Sequence, residues 1–359
     1  MLLLLLLLPV ASAFTFTSAP AQDLQPFFGI QVPWLGADVA TSVRIGNSST
    51  YLWLHGDTLL GSMRSGVRQW TGGMPRNSVA TLSVSGAGAP TSPYVHAITP
   101  PNASFPQHGG FWSPPAASQW WWPTVGVNLG DGDVHIVAMR MEAAGSGLFP
   151  FATAGMDVLS FTAPGADPAA WPPPTPSSLP GVNTTFVLGC AAGVGADGFV
   201  YMLGSNNGSA MMARIPAASF SAHAWGDVLF FSGGSWAPLG GAPPDSLFGY
   251  VPSETTLVYH EFLNLWYIVW VNTFLSSAVM FRTAPHPWGP WSEGVSVYEI
   301  PPSLLDNAFC YAGKAHPELS RPGAPEVVFS FVCNTPNINQ LLNRTEVYVP
   351  RLIRTTISA

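Results

Sequence analysis

With 359 residues, 47% of them hydrophobic, the chain can bury a substantial core, as one large all-β domain or two ordinary ones. Its 36 Gly, 36 Pro and abundant aromatic residues argue for many short strands joined by tight turns and against long helices. A net charge of −7 with only 12 Lys and Arg leaves no basic stripe, which argues against nucleic acid as a partner.

The opening Met1–Leu8 run, followed by Pro-Val-Ala-Ser-Ala, reads as a secretory signal peptide over residues 1–13. Its apolar stretch is too short to span a bilayer, and Ala11-Ser12-Ala13 is a small-residue cleavage site, although the usual basic start is missing. No later apolar stretch has the length of a membrane helix, and the C-terminus lacks the tail of a lipid-anchored protein. The mature chain is expected to be secreted, soluble and monomeric. Sequons at Asn47, Asn102, Asn183, Asn207 and Asn343 suit glycosylation on surface turns.

Residues 14–359 read as one domain built on a repeat. Each of five units has a short first strand, a Gly- or Asn-containing turn and a strongly apolar second strand. The second strands are placed at Tyr51–Leu54, Val134–Met139, Phe199–Leu203, Trp266–Val271 and Val327–Val332, roughly 60–85 residues apart. Turns such as Gly130-Asp-Gly-Asp and Gly195-Ala-Asp-Gly tolerate the positive φ that hairpins require. Five four-stranded antiparallel units in a ring predict an all-β, five-bladed propeller, with a pair of β-sandwiches as the alternative. Phe14-Thr-Phe-Thr alternates apolar and polar residues and could lend an outer strand to the last blade. Pro164–Pro180 is expected to be a loop between the second and third units. Cys310 and Cys333 flank a turn near Arg321-Pro-Gly, so adjacent strands would oppose them as a disulfide and leave Cys190 a buried thiol. The three cysteines have no metal-ligand spacing, and no metal or cofactor is expected beyond a channel cation or water beside His316.

In a blade, the start of the first strand, the end of the second and the start of the third share one face of the ring. Asp38, Glu254 and His316 fall at or near first-strand starts, each about a dozen residues before a second strand. Asp57, Arg140, Asn206, Asn272 and Asn334 fall at second-strand ends, and Arg76-Asn77 at a third-strand start. Polar groups from all five units should therefore meet at one mouth. The bland reading of the acids is local: Asp57 capping a turn, Asp38 bonding backbone amides, Glu254 solvated. Trp120, Trp121 and Trp122 suit sugar stacking or packing between blades equally well. Arg76 and Arg351 could pair with the acids or bind sugar hydroxyls.

The same residues resemble five-bladed propeller glycoside hydrolases of the arabinanase-like type. Gly36-Ala-Asp38-Val, Ser253-Glu254-Thr and Ala315-His316-Pro-Glu look like that group's first-blade acid, later-blade glutamate and last-blade histidine. The chain is more similar still to an uncharacterised-domain propeller family that includes bacterial endo-D-arabinanases. The carrying phrases are Leu54-His-Gly-Asp57-Thr, Arg76-Asn77-Ser78, Trp121-Trp-Pro, Trp288-Gly-Pro-Trp291-Ser, His316-Pro-Glu-Leu and Tyr348-Val-Pro-Arg351, in order along almost the whole chain. The resemblance implies a secreted enzyme acting on a polysaccharide or glycan, furanosides included. Asp38 would be base or nucleophile and Glu254 the proton donor, since such hydrolases flank the scissile bond with two carboxyl groups. Arg76, Asn77, Trp121, Trp122, Arg140, Asn272, His316 and Arg351 would contact the substrate. The chain departs from the pattern where a third acid is common: it has Trp122-Pro-Thr124 in the second unit and Leu188-Gly189-Cys190 in the third. Asp57 is the available substitute, so the active pair could be Asp57 with Glu254 or with Asp38. A non-catalytic carbohydrate-binding propeller and an interaction propeller stay open as alternatives.

Overall fold

The computed structural model describes residues 14–97, 109–146, 150–183, 185–272 and 277–358. The leader read over residues 1–13 and the sequon at Asn102 lie outside them. Five antiparallel sheets form the blades of a propeller, each with its first strand innermost. The inner strands are Trp34–Arg44, Gln119–Val127, Phe186–Val194, Thr256–His260 and Phe309–Ala315 for blades 1 to 5. They touch in succession round a closed circuit, the last meeting the first.

All five apolar second strands expected from the sequence are second strands: Thr50–Arg64, Val134–Ala143, Phe199–Asn206, Leu265–Val271 and Glu326–Asn334. Their continuous apolar runs reflect burial on both faces between neighbouring blades. Val269 and Phe281 of blade 4 share a core with Phe329 and Phe331 of blade 5, and Val137 and Met156 of blade 2 share one with Leu188 and Met202 of blade 3. The N-terminal strand Thr15–Pro20 pairs with Arg351–Ser358 as the outermost strand of blade 5, so both chain ends close the ring in one sheet.

Two expectations need correction. Blades 1 and 3 are five-stranded rather than four-stranded, because Val67–Trp70 folds back on the long strand Thr50–Arg64 and Ser235–Pro238 adds a hairpin arm beside Leu229–Ser232. The Pro-rich stretch 164–180 is not all loop, since Thr175–Ser178 is the outer strand of blade 2. An edge position tolerates Pro176, whose missing N–H leaves no internal ladder bond unmade. Cys310 and Cys333 stand directly opposite in register and form a disulfide, while Cys190 is a buried free thiol. Among the described residues no helix is long and apolar enough to cross a membrane.

Candidate active site at the mouth of the ring

Irregularities in the inner strands aim side chains at the axis. Register shifts interrupt the pairing between Ala37 and Val39, Pro123 and Val125, Leu188 and Ala191, and Tyr311 and Lys314. Val39, Ala40 and Ala312 take positive φ at these points (66°, 54° and 54°). A β-branched residue at positive φ is strained, and such bulges re-aim neighbouring side chains, here Asp38 and Tyr311.

Asp38, Asp57 and Glu254 share one cavity of about 730 Å³, within the usual range for ligand pockets. Tyr311 Oη donates to Asp38 Oδ2 at 2.8 Å, and Tyr348 Oη lies 3.5 Å from the same oxygen. Tyr348 Oη also donates to the Asp57 carbonyl at 2.9 Å, and Asn334 Nδ2 donates to Tyr311 Oη at 3.2 Å. Asp57 is held differently: Arg76 Nη1 reaches its Oδ2 at 3.0 Å, Trp122 Nε1 donates to its Oδ1 at 2.9 Å, and the Arg76 guanidinium lies over Trp120.

These surroundings set the protonation of the cluster. Burial raises Asp38 well above the usual carboxylate range, the charges of Asp57 and Glu254 push it the same way, and the two tyrosine donors oppose them. Burial pushes Glu254 up to about 7, against the attraction of Lys314. Carboxyl groups so placed share protons instead of ionising together.

Beneath the cavity lies Lys314, fully buried on the inner strand of blade 5. Its Nζ donates to Thr124 O of blade 2 at 2.6 Å and to Thr255 O, at the entry to blade 4, at 3.0 Å. Thr124 Oγ1 in turn donates to Gly189 O of blade 3 at 2.7 Å. One ammonium therefore ties three blades across the axis, next to the backbone of Glu254. Burial pushes Lys314 down to about 8, while Glu254 and Cys190 draw it up.

Glycines make room for this arrangement. A Cβ on Gly56 would lie 2.2 Å from Asp38 Oδ1 and 3.0 Å from Val39 Cγ2, so only glycine lets the carboxylate seat there. Gly36, at φ +154°, lets the Tyr348 carbonyl approach to where its own Cβ would stand. Gly56→Ala should therefore push Asp38 out of place, lowering any turnover at least tenfold while costing about 1–3 kcal/mol of stability. Thermal unfolding and steady-state rates on the same preparation check this. An unmoved rate would show that the seat of Asp38 is irrelevant to activity.

The other sequence candidates divide. Trp122 and Asn334 line the cavity, and Arg76 stands behind Asp57. Asn77 is buried and ties the segment around Trp112 to the Trp121 carbonyl. Trp121 is buried with Nε1 on Asp157, which also takes two hydrogen bonds from Arg140 Nη1. Arg351 Nε donates to Glu346 O, and neither Arg351 nor Asn272 lines the cavity. His316 does not share the mouth, which corrects that expectation. It is fully buried between blades 1 and 5, stacked on Trp53, with Nε2 on Ser330 Oγ and Nδ1 near Ser42 Oγ and Glu318. Both ring nitrogens are thus occupied, leaving none turned to the channel. Of the sequons, Asn47, Asn183, Asn207 and Asn343 are on exposed turns or helix ends. On the opposite face, Asp131, Asp133 and His135 have ligand-type atoms within 4.8 Å of one another, but Asp131 Oδ1 already accepts from Asp133 N and Asp133 Oδ1 from Ala163 N.

Sequence reasoning missed Tyr311, Lys314, Tyr348 and Arg68. Arg68 is buried and donates to the carbonyls of Leu35, Leu341, Arg344 and Val347, fixing the segment that delivers Tyr348. The available signal for Lys314 was a lone cation inside an otherwise apolar inner strand.

No curated protein matches the chain. Among solved structures, a Bacteroides ovatus ATCC 8483 protein provisionally named a hydrolase superposes with a TM-score of 0.74 at 14% identity, covering 97% of this chain and 93% of that one. An exo-β-1,3-galactanase from Phanerochaete chrysosporium, solved with galactose, gives 0.49 at 13% identity over 89% of this chain and 60% of that one. A GH43_1 enzyme from Xanthomonas citri, complexed with xylotriose, gives 0.48 at 11% identity over 94% of each chain. The Bacteroides likeness is one of fold. Across residues 21–356 the sequence matches the model of the family described as a domain of unknown function (DUF5005), and the chain belongs to that family.

Proposed function

We propose that this protein is a secreted glycoside hydrolase acting on a polysaccharide or glycan, with furanosides among the first substrates to try. The observation that carries the reading is the meeting of Asp38, Asp57 and Glu254 in one cavity, where burial raises both Asp38 and Glu254. Glycoside hydrolysis needs such a division of labour, one carboxyl group giving a proton to the leaving oxygen and another activating water or attacking carbon. Tyr311 donates to Asp38 Oδ2 and favours its ionised form against the burial that raises it, and the resemblance makes Asp38 the base or nucleophile. Glu254, which burial raises to about 7 against the pull of Lys314, is the group that gives the leaving oxygen its proton. The negative charge of Asp57, which pairs with Arg76, discourages a second charge on Asp38.

A second reading, carbohydrate binding without turnover, is favoured by the hydrogen bonds that occupy both oxygens of Asp57 and one of Asp38. Screening a glycan library with the wild type, Asp38→Asn, Asp57→Asn and Glu254→Gln separates the two. Reducing-end release that the variants lose supports hydrolysis, and saturable binding without release supports the second reading.

A further inference from the structure

We propose that Asp131, Asp133 and His135 form a zinc site on the face of the ring opposite the mouth, independent of the hydrolase reading. They stand at alternate positions of Asp131-Gly-Asp133-Val-His135, where a hairpin turn enters the second strand of blade 2. One ring nitrogen of His135 and one oxygen of each acid lie within 4.8 Å of one another. His135 sets the group apart from an ordinary acidic turn. It is 1% exposed, and its Nε2 is buried with no hydrogen-bond partner among the described residues. Its Nδ1 is engaged by Ser160 Oγ at 2.8 Å, and the same hydroxyl meets His223 Nε2 at 2.7 Å. Ser160 has one proton to give. When it donates to His223, Nδ1 of His135 carries the proton and Nε2 presents a bare lone pair. In the other tautomer Nε2 holds an N–H that has no acceptor. A divalent ion satisfies the first form, and metal-bound imidazoles are held through their second nitrogen in this way.

The acids keep oxygens for an ion. The backbone bonds that fix them in the turn use Oδ1 of each. Asp133 Oδ2 accepts no hydrogen bond among the described residues, and Asp131 Oδ2 meets only Ser221 Oγ at 3.4 Å. Neither acid enters an ion pair among the described residues, so two negative charges face the imidazole with no cation between them. The donor set selects the metal. Calcium and magnesium take oxygen ligands, whereas an imidazole with two carboxylates suits zinc at about 2.0–2.2 Å from each. Ser221 and His223 belong to the blade 3 segment around Ala217–Ser221 and Trp225–Asp227, so the ion braces blade 2 against blade 3.

Calorimetric titration of the EDTA-treated, dialysed full protein with zinc, manganese and calcium chlorides tests the assignment. Zinc should bind once per chain, more tightly than manganese, with calcium weaker by about a hundredfold or more. Asp131→Asn with Asp133→Asn keeps both Oδ1 acceptors of the turn and removes the second oxygens. That pair should weaken zinc about a hundredfold or more while leaving Tm without metal within about 2 °C. Ser160→Ala, which frees Nδ1 of His135, should weaken zinc about tenfold. The side-chain nitrogen resonance of His135 Nε2 should shift when zinc is added to the wild type and stay put in the double variant. Unchanged zinc affinity in the double variant means an adventitious ion only and overturns the proposal. Calcium binding as tight as zinc, or an Nε2 resonance that zinc does not move, removes His135 from the ligands and overturns it as well. The glycan screen reads the opposite face of the ring, so neither result decides the other.

Discussion

Glu254→Gln should lower turnover of a glycan with a poor leaving group by about 10²–10⁴, the usual contribution of a general acid. The loss should shrink sharply for an aryl glycoside whose phenol leaves without help. Asp38→Asn should instead lower the rate for both substrates alike, because a base or nucleophile is needed whatever leaves. The pH profile carries the sign of the assignment. A proton donor raised to about 7 is in its working form below that value, so kcat/KM should fall as pH rises through about 7. In Glu254→Gln that limb should vanish. Full activity in Asp38→Asn and Glu254→Gln together would leave the mechanism without its two actors.

Removing the axial ammonium is expected to have the largest effect on stability. Lys314→Met leaves Glu254 without the opposite charge and the carbonyls of Thr124 and Thr255 without their donor. Breaking one side of a buried charged network typically costs about 3–5 kcal/mol. The loss should depend on pH in a definite direction. Glu254 has a folded pKa raised above its unfolded value, so its contribution to stability is fully present below the unfolded pKa and is lost as pH rises through about 7. Without Lys314 the folded pKa rises further, and the contribution lost at high pH grows. At pH 5 the same substitution also removes a buried ammonium, itself disfavoured by burial, which offsets part of the damage. Thermal unfolding should therefore show a larger fall in Tm at pH 8 than at pH 5, and the descending limb of any activity profile should move to higher pH. Equal falls at both pH values, with an unmoved limb, would mean that Lys314 acts only as a packing group.

Part of the site was visible because propeller geometry repeats. The sequence puts Asp38 and Glu254 at first-strand starts and Asp57 at a second-strand end. In the structure Asp38 lies inside Trp34–Arg44, Glu254 just before Thr256 and Asp57 midway along Thr50–Arg64, and alternation of strand direction still brings all three to one cavity. Tyr348 belongs to the phrase Tyr348-Val-Pro-Arg351, in which the charge of Arg351 is a stronger signal in the sequence than a phenol. Tyr348 reaches Asp38 only because Arg68, distant in sequence, clamps the preceding backbone, and because Gly36 yields the space.

His316 marks the boundary between the two kinds of information. Its phase in the repeat put it near the axis, yet the turn that begins at Pro317 leaves its ring among Trp53, Ser42 and Ser330, where both nitrogens are satisfied. From the order of its residues alone, the chain determined the five-bladed ring, the closing N-terminal strand, the opposed Cys310 and Cys333, and which end of the strands faces the mouth, except in blade 5, where His316 follows the inner strand Phe309–Ala315 instead of opening it. These follow from period-2 alternation, apolar runs and turn chemistry, all local properties. Only the tertiary structure decided which side chains meet there and in what protonation state. Bulges, close glycine contacts and the passage of Lys314 across the axis depend on pairs of residues far apart in sequence, and burial, which raises Asp38 and Glu254, exists only once the blades have closed.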